Sequence, residues 1–319
     1  MVQIGSSWLA PAAIGWAALA LVWIVLAWPE PRGRSWHIVL ACAPLAGFAA
    51  ALFGSAEFAV LAQLWLAMGG VVLAAVVLAW IVGEALRNHG VMDVFYPLAP
   101  LAAAVFGLFV VGPDAWRLLL IGLMAIWAVR LAVQTYGHNI HAEREPYASW
   151  RRRFGGKWRY WAFFQIHLLQ GVTIWIWCLA IAAALLAPAP QSWLIASIGA
   201  TVWLAGFALQ TTADQQLAAF KRDPSNRGKL LDTGVWSFVR HPNYLGEALM
   251  WWGLFVFALA HPFGLATIIS PLFATWFMGY ASAAPYKERH MAKTRPEAWA
   301  AYCARTPRFL PWPRPKSPA

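Results

Sequence analysis

Arg240, His241, Asn243, Tyr244 and Glu247 fall within eight residues of one another in GVWSFVRHPNYLGE (234–247). A guanidinium fork matches the geometry of a phosphate, and amide, carboxylate and hydroxyl groups can bond a ribose or a base. The segment therefore has the donors and acceptors for a phosphate-bearing ligand. Similar mixtures of Arg and Lys with Asp, Asn, Gln, His and Tyr recur in 138–160, in 216–243 and in the C-terminal tail. No GxGxxG or GxxxxGK[ST] follows a strand, which excludes a Rossmann or P-loop site. Any nucleotide site must be assembled from helices and loops.

The elements that carry these residues are set by composition. The chain of 319 residues is 61% hydrophobic and 12% charged, against about 25% charged in an ordinary globular domain. Its solvent is the bilayer. Charge-poor runs of roughly 20 residues are long enough to cross the hydrocarbon as helices, and they are continuous rather than alternating, which excludes a barrel pattern. Charge gaps and Pro/Gly punctuation predict an all-α polytopic membrane bundle with spans near 8–28, 37–54, 58–83, 94–112, 115–137, 161–187, 192–215, 244–259 and 263–282. That is about nine transmembrane helices. The first reads as a retained span with the N-terminus outside, since no basic residue precedes its apolar core.

Basic residues orient the bundle, because short loops rich in Lys and Arg stay cytoplasmic. The loops after spans one, three, five and seven, together with the tail, hold 22 of the 24 Lys and Arg residues. Only Arg117 and Arg130 lie elsewhere. Topology and attraction to anionic lipid account for the charge of the short loops within a net charge of +11, while 138–160, 216–243 and the tail could also grip a phosphate; no nucleic-acid partner is expected.

Ionisable residues at the lips of spans are informative, because such groups persist in hydrocarbon mainly where they line a cavity. Asp93 opens span four, Arg130 lies in span five, Asp214 ends span seven and Glu247 opens span eight. They either share one polar cavity or snorkel separately. Asp93 also reads as the N-cap of span four. Cys42, Cys178 and Cys303 lack metal spacing and the histidines are scattered, so no metal site or disulfide is expected.

RNHGVMDVFYPLAP, WAVRLAVQTYGHNI, FFQIHLLQGVTIWIW, LLDTGVWSFVRHPNYLGEALMWWGLF and RPEAWAAYCARTPRFLP follow one another in the chain. In this order they resemble the steroid 5α-reductase-like membrane enzymes, most closely their bacterial DUF1295 branch. The 230–247 block is shared in looser form with sterol C14- and C7-reductases. RHPxYxG also occurs in isoprenylcysteine and phospholipid methyltransferases. The resemblance covers roughly 84–312, which divides the chain into N-terminal helices 1–83 of unassigned role, a reductase domain 84–312 and a disordered end 313–319.

The resemblance implies a seven-helix reductase core in the bacterial inner membrane, with extra N-terminal helices. It implies NADPH bound from the cytoplasmic side, a cytoplasmic C-terminus, and saturation of a C=C bond conjugated to a carbonyl in a lipophilic substrate. The family's cofactor-binding Asn and Asp, followed by two basic residues, fall on Gln210, Asp214, Lys221 and Lys229. Asn243 would meet the nicotinamide or its ribose, Arg240 and His241 the pyrophosphate, and Tyr244 and Glu247 complete the signature. Arg130 matches the basic residue one turn beyond the family's substrate-holding Tyr, and Arg144 with Tyr147 in REPY resembles a basic–aromatic pair that contacts the nucleotide.

The family's paired Glu and Tyr, which hold the enone oxygen, fall on Asp93 and Trp127. Trp cannot act as a phenolic acid, so Tyr96, one turn from Asp93, is the expected hydroxyl. Trp251 and Trp252, one turn beyond Glu247, either wall a flat apolar substrate or pack ordinarily. Two other readings stay open: a methyltransferase using S-adenosylmethionine, and a membrane module without enzymatic activity.

Overall fold

The computed structural model describes residues 5–27, 34–139, 141–188, 193–281 and 283–311. Among these the secondary structure is helical, with no strand. Seven segments are long and apolar enough to cross a bilayer: Leu9–Leu26, Ala56–Ala85, His89–Val111, Ala115–Asn139, Tyr147–Leu186, Leu194–Arg222 and Gly264–Ala281. The other two expected spans are present as the helices Arg34–Phe53, apolar from His37 onward, and Pro242–Ala258. At 1.5 Å per residue the 17 residues of the latter reach only about 25 Å, less than a hydrocarbon core of about 30 Å. The C-terminal end beyond residue 311, expected to be disordered, lies outside the described residues.

The chain forms two compact units, residues 1–191 with 258–267 and residues 192–257 with 268–319. The first holds α1 (Leu9–Ala27), α2 (Arg34–Phe53), α3 (Ala56–Ala85), α4 (Met92–Val111), α5 (Ala115–Asn139), α6 (Tyr147–Phe154), α7 (Trp158–Ala162) and α8 (Leu169–Leu186). A π-helical turn, Phe163–Leu168, joins α7 to α8. Helix α8 is the core of this unit, packed by α2, α3 and α4 and buried along nearly its whole length.

Indoles lock α8 in place. Trp65 Nε1 donates to the Trp175 carbonyl at 2.7 Å, and Trp175 Nε1 returns the bond to the Trp65 carbonyl at 2.9 Å. Trp116 Nε1 donates to the Ala184 carbonyl at 3.1 Å. In an apolar surround each such bond removes the penalty of an unsatisfied N–H. Trp23, Trp116, Trp177 and Trp203 are fully buried, so these tryptophans build the interior, whereas a sequence so rich in Trp near span ends suggests interfacial belts.

Polar turns position the lip of α4. Helix α3 ends at Leu86; Arg87 then takes a left-handed conformation with φ 49°. Asn88 is extended, and its Oδ1 accepts from Gly90 N at 3.0 Å, closing the 3₁₀ turn His89–Val91 that leads into α4. Asp93 consequently sits in the first turn of α4.

The second unit holds α9 (Leu194–Arg222), α10 (Pro242–Ala258), α11 (Ile269–Trp276), α12 (Ala283–Thr294) and α13 (Pro296–Arg305). The link between α9 and α10 is pinned to α9. Trp236 Nε1 donates to the Ala213 carbonyl at 3.1 Å, and Val235 N donates to Gln216 Oε1 at 3.0 Å. Segments expected as loops contain helices. Helix α6 lies in 138–160, α9 runs on to Arg222, and α12 and α13 occupy the tail. These pieces carry too much charge to register as apolar runs.

Candidate functional site

Asp93 is the centre of the polar end of the first unit. Its Oδ2 accepts from Asn139 Nδ2 at 2.7 Å and its Oδ1 accepts from the Tyr147 hydroxyl at 2.8 Å. Asn139 is itself fixed, because its Nδ2 donates to the Gly90 carbonyl at 3.2 Å and its own carbonyl accepts from Asn88 Nδ2 at 2.7 Å. The carboxyl group is thus oriented by the ends of three helical elements, α4, α5 and α6. The N-cap position of α4 is Val91, with no side-chain cap, so Asp93 serves partners across the fold rather than its own helix terminus.

Tyr96 is the hydroxyl expected beside Asp93. Its ring meets Trp127 and Trp177 edge to face, with centroids 6.3 and 5.9 Å away. The hydroxyl on Asp93 belongs to Tyr147, 54 residues downstream. Trp127 is buried. Arg130 reaches Gln134 Oε1 at 3.1 Å, one turn along the exposed face of α5, and Arg144 meets His138 Nε2 at 3.2 Å.

In the second unit the signature residues form two side-by-side pairs and a buried ion cluster. Gln210 Nε2 donates to Glu247 Oε2 at 2.8 Å, and Asn243 Nδ2 approaches Asp214 Oδ1 at 3.5 Å. Asn243 Oδ1 is buried with no hydrogen-bond partner among the described residues. Arg240 Nη2 lies 2.8 Å from Glu288 Oε1, which also accepts from Arg240 Nε at 2.9 Å. Arg240 Nη1 donates to the Thr306 carbonyl at 3.0 Å.

His241 Nε2 meets the same Glu288 oxygen at 3.3 Å, and Arg308 Nη2 lies 2.6 Å from the other. Burial raises the Glu288 pKa, but bonds from His241 and Arg308 and the charge of Arg240 outweigh it and hold the carboxyl at about 2. Burial keeps His241 below the usual imidazole range despite Glu288. Arg240 and His241 are therefore engaged in tying the start of α10 to α12. Tyr244 stacks on His241 and faces Lys287. Trp251 is buried, and Trp252 Nε1 donates to Thr275 Oγ1 at 3.0 Å.

Lys221 and Lys229 line a cleft of about 500 Å³ with Arg222, Arg227 and Arg295. Its single acidic lining residue is Asp223, which caps the 3₁₀ turn Pro224–Asn226 through Ser225 N at 2.8 Å. Leu217, Phe220 and Met291 form apolar walls. Phosphate groups and a flat ring are the chemistry that such a cleft accepts.

Asn139, Glu288, His89 and Glu143 carry no signal in an apolar-run reading. Each is placed by a contact 46 or more residues away in sequence. The Asn139 amide could have been found only as a polar residue that closes α5 on the side where Asp93 opens α4.

A stretch of 97 residues, 30% of this chain, is 36% identical to the Delta(14)-sterol reductase LBR of Gallus gallus and covers 14% of it. Another of 103 residues, 31% of this chain, is 30% identical to the Delta(14)-sterol reductase TM7SF2 of Mus musculus and covers 23% of it. An uncharacterized protein of Schizosaccharomyces pombe is 27% identical over 211 residues, 56% of this chain and 60% of that one. The chain thus spans less than two thirds of the length of each of these curated relatives. The family described as a protein of unknown function, DUF1295, matches residues 79–306, more than two thirds of the sequence, and the chain belongs to that family.

Proposed function

We propose that the protein is an NADPH-dependent membrane reductase that saturates a C=C bond conjugated to a carbonyl in a lipophilic, steroid-like or isoprenoid-like substrate. The carrying observation is the Tyr147 hydroxyl hydrogen-bonded to an Asp93 carboxyl that Asn139 holds from its other oxygen. Similarity to two sterol reductases supports the reading. We assign the activity to 84–312 and leave 1–83 without a role in it.

The residues of the second unit fit the cofactor. Asn243 Oδ1 is a buried acceptor that lacks a donor, which an amide N–H or ribose hydroxyl of a nucleotide would supply. Lys221 and Lys229 with Arg222, Arg227 and Arg295 match its phosphates, while Asp214 meets Asn243 and Gln210 holds Glu247. NADPH, when bound, supplies the reducing electron pair and its hydrogen. In this reading the nucleotide enters from the cytoplasmic side, where the positive loops lie.

Reduction of an enone places negative charge on the carbonyl oxygen, and a donor fixed in advance stabilises it. In the reacting state Asp93 carries the proton and donates to the Tyr147 oxygen. That turns the Tyr147 O–H toward the substrate oxygen. Asn139 keeps the second carboxyl oxygen satisfied throughout, so the donor pair changes its proton positions without moving its heavy atoms.

Thermal unfolding of the purified protein with NADPH, NADH or S-adenosylmethionine tests the cofactor, since a ligand of the folded state raises its stability by mass action. NADPH is expected to give the largest shift. NADPH oxidation with a panel of 3-oxo-4-ene steroids and simpler enones tests the reaction. Stabilisation by S-adenosylmethionine alone would replace the reductase with a methyltransferase.

A further inference from the structure

We propose that Glu84, His89 and His167 form a proton path from the surface of the first unit into its interior, delivering the proton that each reduction consumes; its use in turnover rests on the reductase reading. Glu84, at the end of α3, keeps 28% of its side chain exposed, whereas the His89 side chain has none exposed. Glu84 Oε1 lies 2.9 Å from His89 Nε2, and His89 Nδ1 lies 2.9 Å from His167 Nε2. His167 is fully buried, and its Nδ1 has no hydrogen-bond partner among the described residues. The atoms alternate as a relay requires, with one ring nitrogen facing the source and the other facing inward.

Packing alone does not explain this arrangement. Burying imidazoles in a membrane protein is costly, and an orphan ring nitrogen adds to that cost. An aliphatic pair would fill the same space. The local backbone is instead shaped around the rings. A Cβ on Gly83 would lie 2.7 Å from His89 Nδ1, so glycine is what lets α3 approach the imidazole. Glu143 Oε1 accepts from His89 N at 2.9 Å and is held by Arg151, while Trp158 meets the His89 ring edge to face. His167 occupies the π-helical turn, a feature that recurs at functional sites.

The path also adjoins the proposed active site: His89 precedes Asp93 by four residues, and Glu143, which accepts from His89 N, precedes Tyr147 by four. Saturating the double bond adds a hydrogen with its electron pair from NADPH to one carbon and a proton from solution to the other. The second C–H bond takes the proton from His167 Nδ1. His167 Nε2 then takes one from His89 Nδ1, His89 Nε2 takes one from Glu84, and Glu84 is reprotonated by water. Tautomeric exchange between turnovers restores both rings.

The path can be tested without substrate on the full-length protein, labelled with ¹⁵N-histidine, in wild-type and Glu84→Gln forms. Gln retains a hydrogen bond to His89 but cannot shuttle a proton, and an unchanged melting temperature checks the fold. Exchange of the His167 ring N–H with water is expected to slow in Glu84→Gln. Equal exchange in the two forms would overturn the path.

Its use in catalysis is tested with an enone that the wild type reduces. Glu84→Gln and His167→Gln should each lower the single-turnover rate roughly 100-fold at unchanged NADPH affinity, and added imidazole should restore His167→Ala. Wild-type rates in these variants would overturn the delivery role. A wild type that reduces no enone would remove the reductase reading, and the exchange measurement would still decide the path.

Discussion

Gly206 on α9 and Gly246 on α10 touch backbone to backbone: a Cβ on either would lie 2.5 Å from the carbonyl oxygen of the other. Gly199 and Gly253 repeat the contact seven residues away along each helix, with a Cβ on Gly253 falling 2.7 Å from the Gly199 carbonyl oxygen. Small residues at such spacing let membrane helices approach closely. The approach brings Gln210 within 2.8 Å of Glu247 and Asn243 within 3.5 Å of Asp214.

A methyl group at this crossing must push the helices apart. Gly246→Ala is expected to lower stability by about 1–3 kcal/mol and to weaken nucleotide binding with it. Gly122→Ala, where nothing lies within 4 Å, should stay within about 0.5 kcal/mol of wild type. Thermal unfolding of both variants makes the comparison.

Glu288 ties α12 to Arg240 and His241, and its carboxyl is held at about 2 against an ordinary 4.5. A carboxyl depressed in the folded state contributes stability that is present above its unfolded value and lost as pH falls toward its folded one. His241, lowered by burial, acts in the same direction from below its ordinary 6.5. Wild-type melting temperature should therefore fall on acidification from about pH 6 to pH 3. Glu288→Gln, which leaves Arg240 buried beside a neutral group, should start about 3–5 kcal/mol lower at neutral pH and respond less below pH 4.5.

Nucleotide affinity separates the two parts of the second unit. Asn243→Ala is expected to weaken NADPH binding by about 1–3 kcal/mol at any salt concentration. Lys221→Glu should weaken it more at low salt than at high salt, because exposed charge contacts are screened. Calorimetric titration at two ionic strengths reads both. Unchanged affinity in a folded Asn243→Ala protein would remove that amide from the site.

The spans were legible because hydropathy is a local property, and an uninterrupted apolar run such as that in α8 has no alternative in lipid. Asp93 was legible for a related reason, as an isolated charge at the edge of such a run. Its partner was not. Tyr147, 54 residues downstream, reaches Asp93 only because the chain folds back through α6. His89 and Glu288 were hidden in the same way: each gains its meaning from a carboxylate or imidazole on another element. Arg240 and His241 were read beside a phosphate, and the contacts on them, with Glu288, lie 48 and 47 residues along the chain.

The hydrogen bond between Asp93 and Tyr147 is the centre of the proposed chemistry, and single-turnover NADPH oxidation with a reducible enone tests it most directly. Asp93→Asn and Tyr147→Phe should each bind NADPH as wild type does, yet lose roughly 100- to 1000-fold in rate, the usual cost of removing a fixed donor to a developing oxyanion. Because the two act as one unit, the double variant should be little slower than either single one. Wild-type rates in both single variants would contradict the assignment and leave the pair as a structural tie between α4 and α6.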